Sequence, residues 1–295
     1  MASPLIRIGT RGSDLALWQA NHVKNQLESL GCEVNIKIIQ TQGDRIQDLS
    51  FDKLEGKGFF TKEIESALLS HEIDLAVHSH KDLETSPPAG LIIAAVSERE
   101  DPSELLLIRK EAFDANKKLQ LKDKAIIGSS SARRQSILRA YRADLNIQEL
   151  RGNVPTRIEK LRAGQYDAIL LAKAGVSRLG LNLEDLVSVV LDPKEFVPAP
   201  AQGVLGLQVR AMDQETIAWV SQLNVKQTEK CISIERSVLR NMEGGCQLPL
   251  GVYNDGTVVH VRYAKSKNEA AMGFKFPIEQ NTNPVATIIE TLNAM

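Results

Sequence analysis

The chain has 295 residues, 43% hydrophobic and 25% charged, which excludes a disordered or collagen-like protein and leaves room for two or three domains. Its 36 Lys and Arg stand against 37 Asp and Glu, and only 4% of residues are aromatic. A nucleic-acid partner is therefore not expected, and any anion binding must come from a local cluster of cations. No apolar run approaches the ~20 residues of a membrane span, and Met1–Arg7 lacks the apolar core of a signal peptide. The expectation is a cytoplasmic protein off the membrane.

Leu5–Gly9 reads as a short strand, followed by a helix from Ser13 to about Leu30 with Ala16, Ala20, Val23, Leu27 and Leu30 on one face. Val34–Thr41 alternates like a strand, and the Gly- and charge-rich stretch 43–58 has no period. Thr61 can cap a helix to about Leu69, and Ile73–Ser79 and Leu91–Val96 are buried strands. After Arg99-Glu100-Asp101-Pro102 the pattern restarts: strands at Ala125–Gly128, Asn146–Leu150 and Ala168–Ala172, helices at Ala132–Tyr141 and Thr156–Ala163. Such alternation means parallel sheets with crossover helices. Pro198-Ala199-Pro200 reads as a hinge before a strand at Val204–Val209. A helix at Thr228–Met242, short strands near Gly251–Tyr253, Val258–Ala264 and Met272–Phe276, and a terminal helix complete a small α+β unit.

Two segments share one design. Ile8–Ser13 and Ile127–Arg134 each run from a strand through a small polar turn into a helix. Free N–H groups and the helix dipole make such a terminus an anion site, and arginine there opposes the dipole. Arg11, Arg133 and Arg134 are thus better explained by a bound anion than by helix stability, although a capped helix with solvated arginines is the plain alternative. Arg151, Arg157 and Arg178 follow strand ends, where open α/β sheets place ligands. Lys53 and Lys57 lie in the irregular stretch and read either as part of a mobile lid or as solvated loop lysines.

Val77-His78-Ser79-His80-Lys81-Asp82 puts a carboxylate among cations at a strand end. Asp82 can act there as base, acid or stabiliser of developing positive charge. His78 and His80 would face one side of a strand, but no third ligand accompanies them and no metal is expected. Cys32, Cys231 and Cys246 are too far apart for a disulfide framework or a zinc site. Cys246 sits in the turn Glu243-Gly244-Gly245-Cys246-Gln247-Leu248-Pro249, which suggests a nucleophile or covalent anchor.

These segments, in this order, resemble the porphobilinogen deaminase (hydroxymethylbilane synthase) family. The matching stretches are 10–20, 56–63, 74–82, 98–102, 128–134, 150–157, 166–181, Gln202-Gly203 and 243–249. The resemblance implies a mainly parallel α/β fold: two periplasmic-binding-protein-like lobes around a cleft and a small α+β C-terminal domain. Residues 1–99 with 200–222 would form domain 1, 100–199 domain 2, and 223–295 domain 3. It also implies a transferase of porphyrin, haem and tetrapyrrole biosynthesis that joins four porphobilinogen molecules into linear hydroxymethylbilane with loss of ammonia. A dipyrromethane cofactor would be tied by a thioether to Cys246. Asp82 would be the catalytic carboxylate, holding pyrrole N–H groups and stabilising an azafulvene-like cation. Arg11, Ser13, Lys81, Ser131, Arg133, Arg134, Arg151, Arg157 and Arg178 would contact cofactor and substrate, and Lys53 and Lys57 would belong to the mobile loop. The chain would be a monomer that passes its product to the next tetrapyrrole enzyme. It departs from the family pattern at His80, Ala132 and Ala201, where an apolar residue, Leu and Gly are usual.

The rival reading is a two-lobed receptor that binds a small anion without catalysis. Such a receptor would share the lobes and the arginine-lined helix ends, but it would not need Cys246 or a carboxylate at Asp82.

Overall fold

The structure, a computed structural model, describes residues 4–45, 61–245, 247–278 and 283–295. Two compact units divide the chain: Met1–Glu100 with Gly203–Lys230, and Asp101–Gln202 with Cys231–Met295.

The first unit runs β1 (Leu5–Thr10), α1 (Asp14–Ser29), β2 (Glu33–Ile38), α2 (Gln42–Arg45), α3 (Lys62–Leu69), β3 (Leu75–Ser79) and β4 (Leu91–Val96). In the second unit, β5 (Glu104–Arg109), β6 (Ile126–Gly128), α4 (Ala132–Tyr141), β7 (Asn146–Gln148), α5 (Val154–Arg162), β8 (Ala168–Ala172), α6 (Lys173–Leu179) and β9 (Leu186–Leu191) follow. The chain then returns to the first unit with β10 (Leu205–Arg210) and α7 (Gln214–Val220). The helix α8 (Lys226–Asn241), the strands β11 (Leu250–Asn254), β12 (Val258–Tyr263) and β13 (Met272–Pro277), and α9 (Pro284–Asn293) follow, and from Cys231 onward they belong to the second unit.

The two large sheets have one topology. Strand order is β2-β1-β3-β10-β4 in the first and β7-β6-β8-β5-β9 in the second. In each, three parallel strands meet one antiparallel strand, β10 or β5. These are the two α/β lobes that the strand–helix alternation predicts. Both faces are covered. Ile6, Ile8, Val77 and Leu207 pack with Ala20, Val23 and Leu27 of α1, while Ile73, Ala76 and Leu91 pack with Ile64 and Leu68 of α3. Gly9 and Gly128 end equivalent strands at points too crowded for a side chain: a Cβ at Gly128 would lie 2.9 Å from Tyr166 Cδ1, and one at Gly9 would strike Ile73.

The antiparallel third sheet has order β11-β12-β13 and buries Val252, Val259 and Val261 against Val238 and Leu239 of α8 and Ile288 and Leu292 of α9. Most expected elements form within a few residues of their predicted bounds. Five others, α2, β5, α6, β9 and α7, escape the periodicity reading. In β5, Leu106 and Ile108 enter one core and Leu105 and Leu107 another, so the strand has no polar face to alternate with.

Candidate active site

In the first lobe the ligand edge is formed where β1 and β3 end. Ser13 caps α1, accepting a hydrogen bond from Ala16 N at 3.4 Å, and the buried Thr10 hydroxyl donates to Ala16 O at 3.1 Å. This ties the turn bearing Arg11 to the first turn of the helix. Gln19 Nε2 donates to Ser79 Oγ at 2.9 Å and so links α1 to the end of β3. The chain does not extend Asp82 from the strand as expected. It turns after Ser79 into a 3-10 turn, His80–Asp82, which buries His80, half-exposes Lys81 and exposes Asp82. His78 and His80 accordingly do not share one strand face. His78 lies inside the sheet, its Nε2 3.1 Å from Gln208 Oε1, and burial lowers its pKa to about 4 against the raising effect of that bond. Gln208 passes the chain on, donating to Glu65 Oε1 at 3.0 Å, and Thr61 Oγ1 donates to Glu65 Oε2 at 3.3 Å.

The second lobe builds its edge from β6, β7 and β8. Ser131 caps α4 by accepting from Arg134 N at 3.4 Å, and Asn153 caps α5 by accepting from Thr156 N at 3.0 Å. Ser130 locks the two turns together: its Oγ donates to Leu150 O at 2.9 Å and accepts from Leu150 N at 3.0 Å. Arg151 and Arg157 flank the second turn, where Arg157 Nε donates to Gly152 O at 2.7 Å. Arg178 lies in α6, directly after β8.

Arg133 and Arg134 differ from expectation. Both are buried, and both turn inward to Glu104, the first residue of β5, which has no exposed surface. Arg133 Nη2 lies 2.6 Å from Glu104 Oε1, and Arg134 Nη2 lies 2.7 Å from Oε2. Their Nη1 atoms donate to Val197 O and Leu170 O, each at 3.0 Å. Burial pushes the Arg133 guanidinium below its ordinary value, Glu104 pulls it up, and Arg134 pushes it down again. Both arginines therefore have an internal counter-anion, a partner that neither a bound anion nor solvation, the two expectations above, had included. Sequence reading missed Glu104 because β5 itself was not predicted. Gln202 Nε2 also reaches Glu104 Oε1, at 3.2 Å.

Lys53, Lys57 and Cys246 lie outside the described residues. Among the described neighbours of Cys246, Gly244 N donates to Leu239 O at 3.1 Å and Leu248 N to Gly245 O at 3.1 Å.

Residues 6–218 match the family model "Porphobilinogen deaminase, dipyromethane cofactor binding domain", and residues 229–263 match "Porphobilinogen deaminase, C-terminal domain". The chain belongs to the porphobilinogen deaminase family. It is 46% identical over 250 residues to the porphobilinogen deaminase of Lawsonia intracellularis, covering 84% of this chain and 79% of the relative. To that of Geobacillus kaustophilus it is 45% identical over 258 residues, with coverage of 86% and 82%. Among solved structures, the L-cystine solute receptor of Neisseria gonorrhoeae aligns with 75% of this chain and 85% of its own at 16% identity and a TM-score of 0.42.

Ala201, expected above as a departure from the family pattern, has φ 62°, the left-handed region that glycine enters without strain. His80 packs beside Gly206, where a Cβ would lie 3.2 Å from the ring. The donor set suits the dipyrromethane cofactor of the family. Arginines and a lysine match its carboxylates, the exposed Asp82 can accept ring N–H groups, and Arg134 Nε is a buried donor without a hydrogen-bond partner among the described residues.

Proposed function

We propose that this chain is a porphobilinogen deaminase, a transferase that condenses four porphobilinogen molecules with release of ammonia to give linear hydroxymethylbilane. The observation that carries the proposal is the family match, which spans both lobes and enters the third sheet. A receptor that merely binds an anion is not favoured by a match of that extent to an enzyme family.

Each porphobilinogen ring carries an acetate and a propionate, so a growing chain needs cations at intervals rather than a basic protein. Arg11, Lys81, Arg133, Arg134, Arg151, Arg157 and Arg178 supply them, and the hydroxyls of Ser13 and Ser131 stand at the helix caps beside them. When bound, the dipyrromethane, anchored by a thioether to Cys246, supplies the ring carbon to which the first substrate is joined. Asp82 accepts ring N–H groups through its carboxylate oxygens. As ammonia leaves the substrate, the methylene becomes electron-poor, and the fixed negative charge of Asp82 lowers the barrier to that step. Lys53 and Lys57 belong to the loop over the site, and 223–295 forms the domain that carries the cysteine turn. The enzyme works in the cytoplasm as a monomer and passes its product to the next enzyme of tetrapyrrole synthesis. No helix among the described residues is long and apolar enough to cross a membrane.

Intact-mass spectrometry of the denatured enzyme tests the reading. An increment of two pyrrole units, lost in Cys246→Ser, is expected. An unmodified chain in an active preparation would overturn it.

A further inference from the structure

We infer that Glu104 is a positioning residue, which holds Arg133 and Arg134 as a preorganised pair for the carboxylates of the cofactor. The inference rests on the porphobilinogen deaminase reading above. Three observations carry it. Glu104 is fully buried yet is the first residue of a strand whose next four members, Leu105 to Ile108, are apolar, so its presence answers a local need. Its two oxygens are divided between two guanidiniums, at 2.6 and 2.7 Å, and each guanidinium is fixed a second time by a backbone carbonyl. Two bonds in different directions leave a planar guanidinium little freedom to rotate. The register then explains why the carboxylate can reach. Glu104 pairs with Ala172 at the end of β8, so β5 delivers its first side chain to the edge at which α4 begins.

The three groups sum to one positive charge, and the carboxylate consumes one face of each arginine. Arg134 Nε remains a buried donor without a hydrogen-bond partner among the described residues. Glu104 thus settles which N–H groups are committed to the fold. Were it absent, two like charges would repel each other in the interior and the pair would splay.

The test uses apoprotein loaded with porphobilinogen and followed by intact mass, so that its readout is cofactor attachment rather than turnover. Glu104→Gln keeps the shape and loses the charge; Glu104→Asp keeps the charge and withdraws it by one methylene. Both are assayed well below their melting midpoints, with circular dichroism to verify folding. The expected result is a rise of roughly tenfold or more in the porphobilinogen concentration that half-saturates loading for Gln, the loss of about one charge-assisted partner. A smaller rise is expected for Asp, and neither defect should disappear on further cooling. Loading of folded Glu104→Gln and Glu104→Asp at the wild-type concentration dependence overturns the inference, as does a defect that cooling abolishes. Should the Gln variant not fold, the Asp variant alone decides by the same criteria. Failure of the wild-type apoprotein to gain two pyrrole units would instead sink the enzyme reading itself.

Discussion

The two lobes are built on one plan and made polar in opposite places. Aligning the antiparallel strands by register equates Leu205 with Glu104 and Gln208 with Leu107, and the central strands equate His78 with Leu171 and Asp82 with Gly175. Counting from the capping serines, Leu15 and Ala16 stand where the second lobe has Arg133 and Arg134. The first lobe thus has an apolar trio where the second has a buried ionic triad, and a buried His–Gln–Glu chain where the second has leucines. The same crossover geometry fixes where an edge lies, while substitutions at matched positions decide its charge. The first edge carries the carboxylate of Asp82; the second carries arginines.

The largest expected effect comes from breaking the triad. Glu104→Leu leaves two guanidiniums in the interior without their counter-charge and should destabilise the protein by about 3–5 kcal/mol in denaturant unfolding. Copying the first lobe outright, Glu104→Leu with Arg133→Leu and Arg134→Ala, removes every charge at once. That triple variant should be more stable than Glu104→Leu alone by at least about 2 kcal/mol, since replacing a buried ionic set by apolar residues is often nearly neutral. It should nevertheless attach cofactor poorly. If the single variant melts like the parent, the triad does not hold the lobe.

Next is the exposed carboxylate of the first edge, Asp82. Asp82→Asn should lower single-turnover rates ~10²–10³-fold with cofactor in place, equivalent to ~2.7–4 kcal/mol. Its exposed position predicts an unchanged melting temperature. Asp82→Glu keeps the charge, and its displacement of about 1 Å should cost ~10²-fold. Near-normal single turnover by the Asn variant removes Asp82 from the mechanism.

Legibility in the sequence divided along the same line. Patterns within a dozen residues were readable: the strand–turn–helix segments and the apolar stripe of α1 through Ala20, Val23 and Leu27 formed as expected, whereas Leu30 is exposed and Thr61 donates to Glu65 instead of capping α3. Ala132–Tyr141 and Ala168–Ala172 have the predicted bounds. What joins distant segments was not readable. Glu104 lies about thirty residues from its arginines, on a strand whose apolar run Leu105–Ile108 has no period, and nothing local distinguishes it from a surface acid. The turn after Ser79 escaped for a different reason: three residues of 3-10 geometry are too short to show a repeat.

The buried histidine gives the third contrast. The folded lobe holds His78 neutral to about pH 4, whereas an unfolded chain takes up a proton near pH 6.5. Between those values the unfolded state binds more protons, so stability falls as pH is lowered through the window and is level above it. The loss should reach about 3 kcal/mol at most. His78→Leu with Gln208→Leu gives the first lobe the second lobe's leucines. The variant's unfolding free energy should then lack this slope between about pH 6.5 and about pH 4, so that the parent-minus-variant difference carries it. An unaltered slope would mean that His78 is not the group responsible.

The smallest effect separates two aspartates at matched positions, Asp74 before β3 and Asp167 before β8. Each steadies the neighbouring strand: Asp74 Oδ2 accepts from Arg7 N at 3.1 Å, and Asp167 Oδ2 from Ile126 N at 2.8 Å. Only the first lobe adds guanidiniums. Arg7 contributes Nε and Nη2, both at 2.8 Å, and Arg210 Nη2 lies 2.9 Å from Oδ1. Burial alone would raise the Asp74 carboxyl, but these hydrogen bonds hold it at about 2. A carboxyl depressed by folding stabilises above its unfolded value, near pH 4, and the contribution vanishes as pH falls through about 2. Asp74→Asn should therefore cost about 2 kcal/mol at neutral pH and much less at about pH 2. Asp167→Asn keeps an oxygen able to accept from Ile126 N, and its cost should be about 1 kcal/mol or less. Denaturant unfolding of both variants at the two pH values checks the pair; equal costs at neutral pH would show that the guanidiniums around Asp74 add nothing beyond the backbone hydrogen bond the two lobes share.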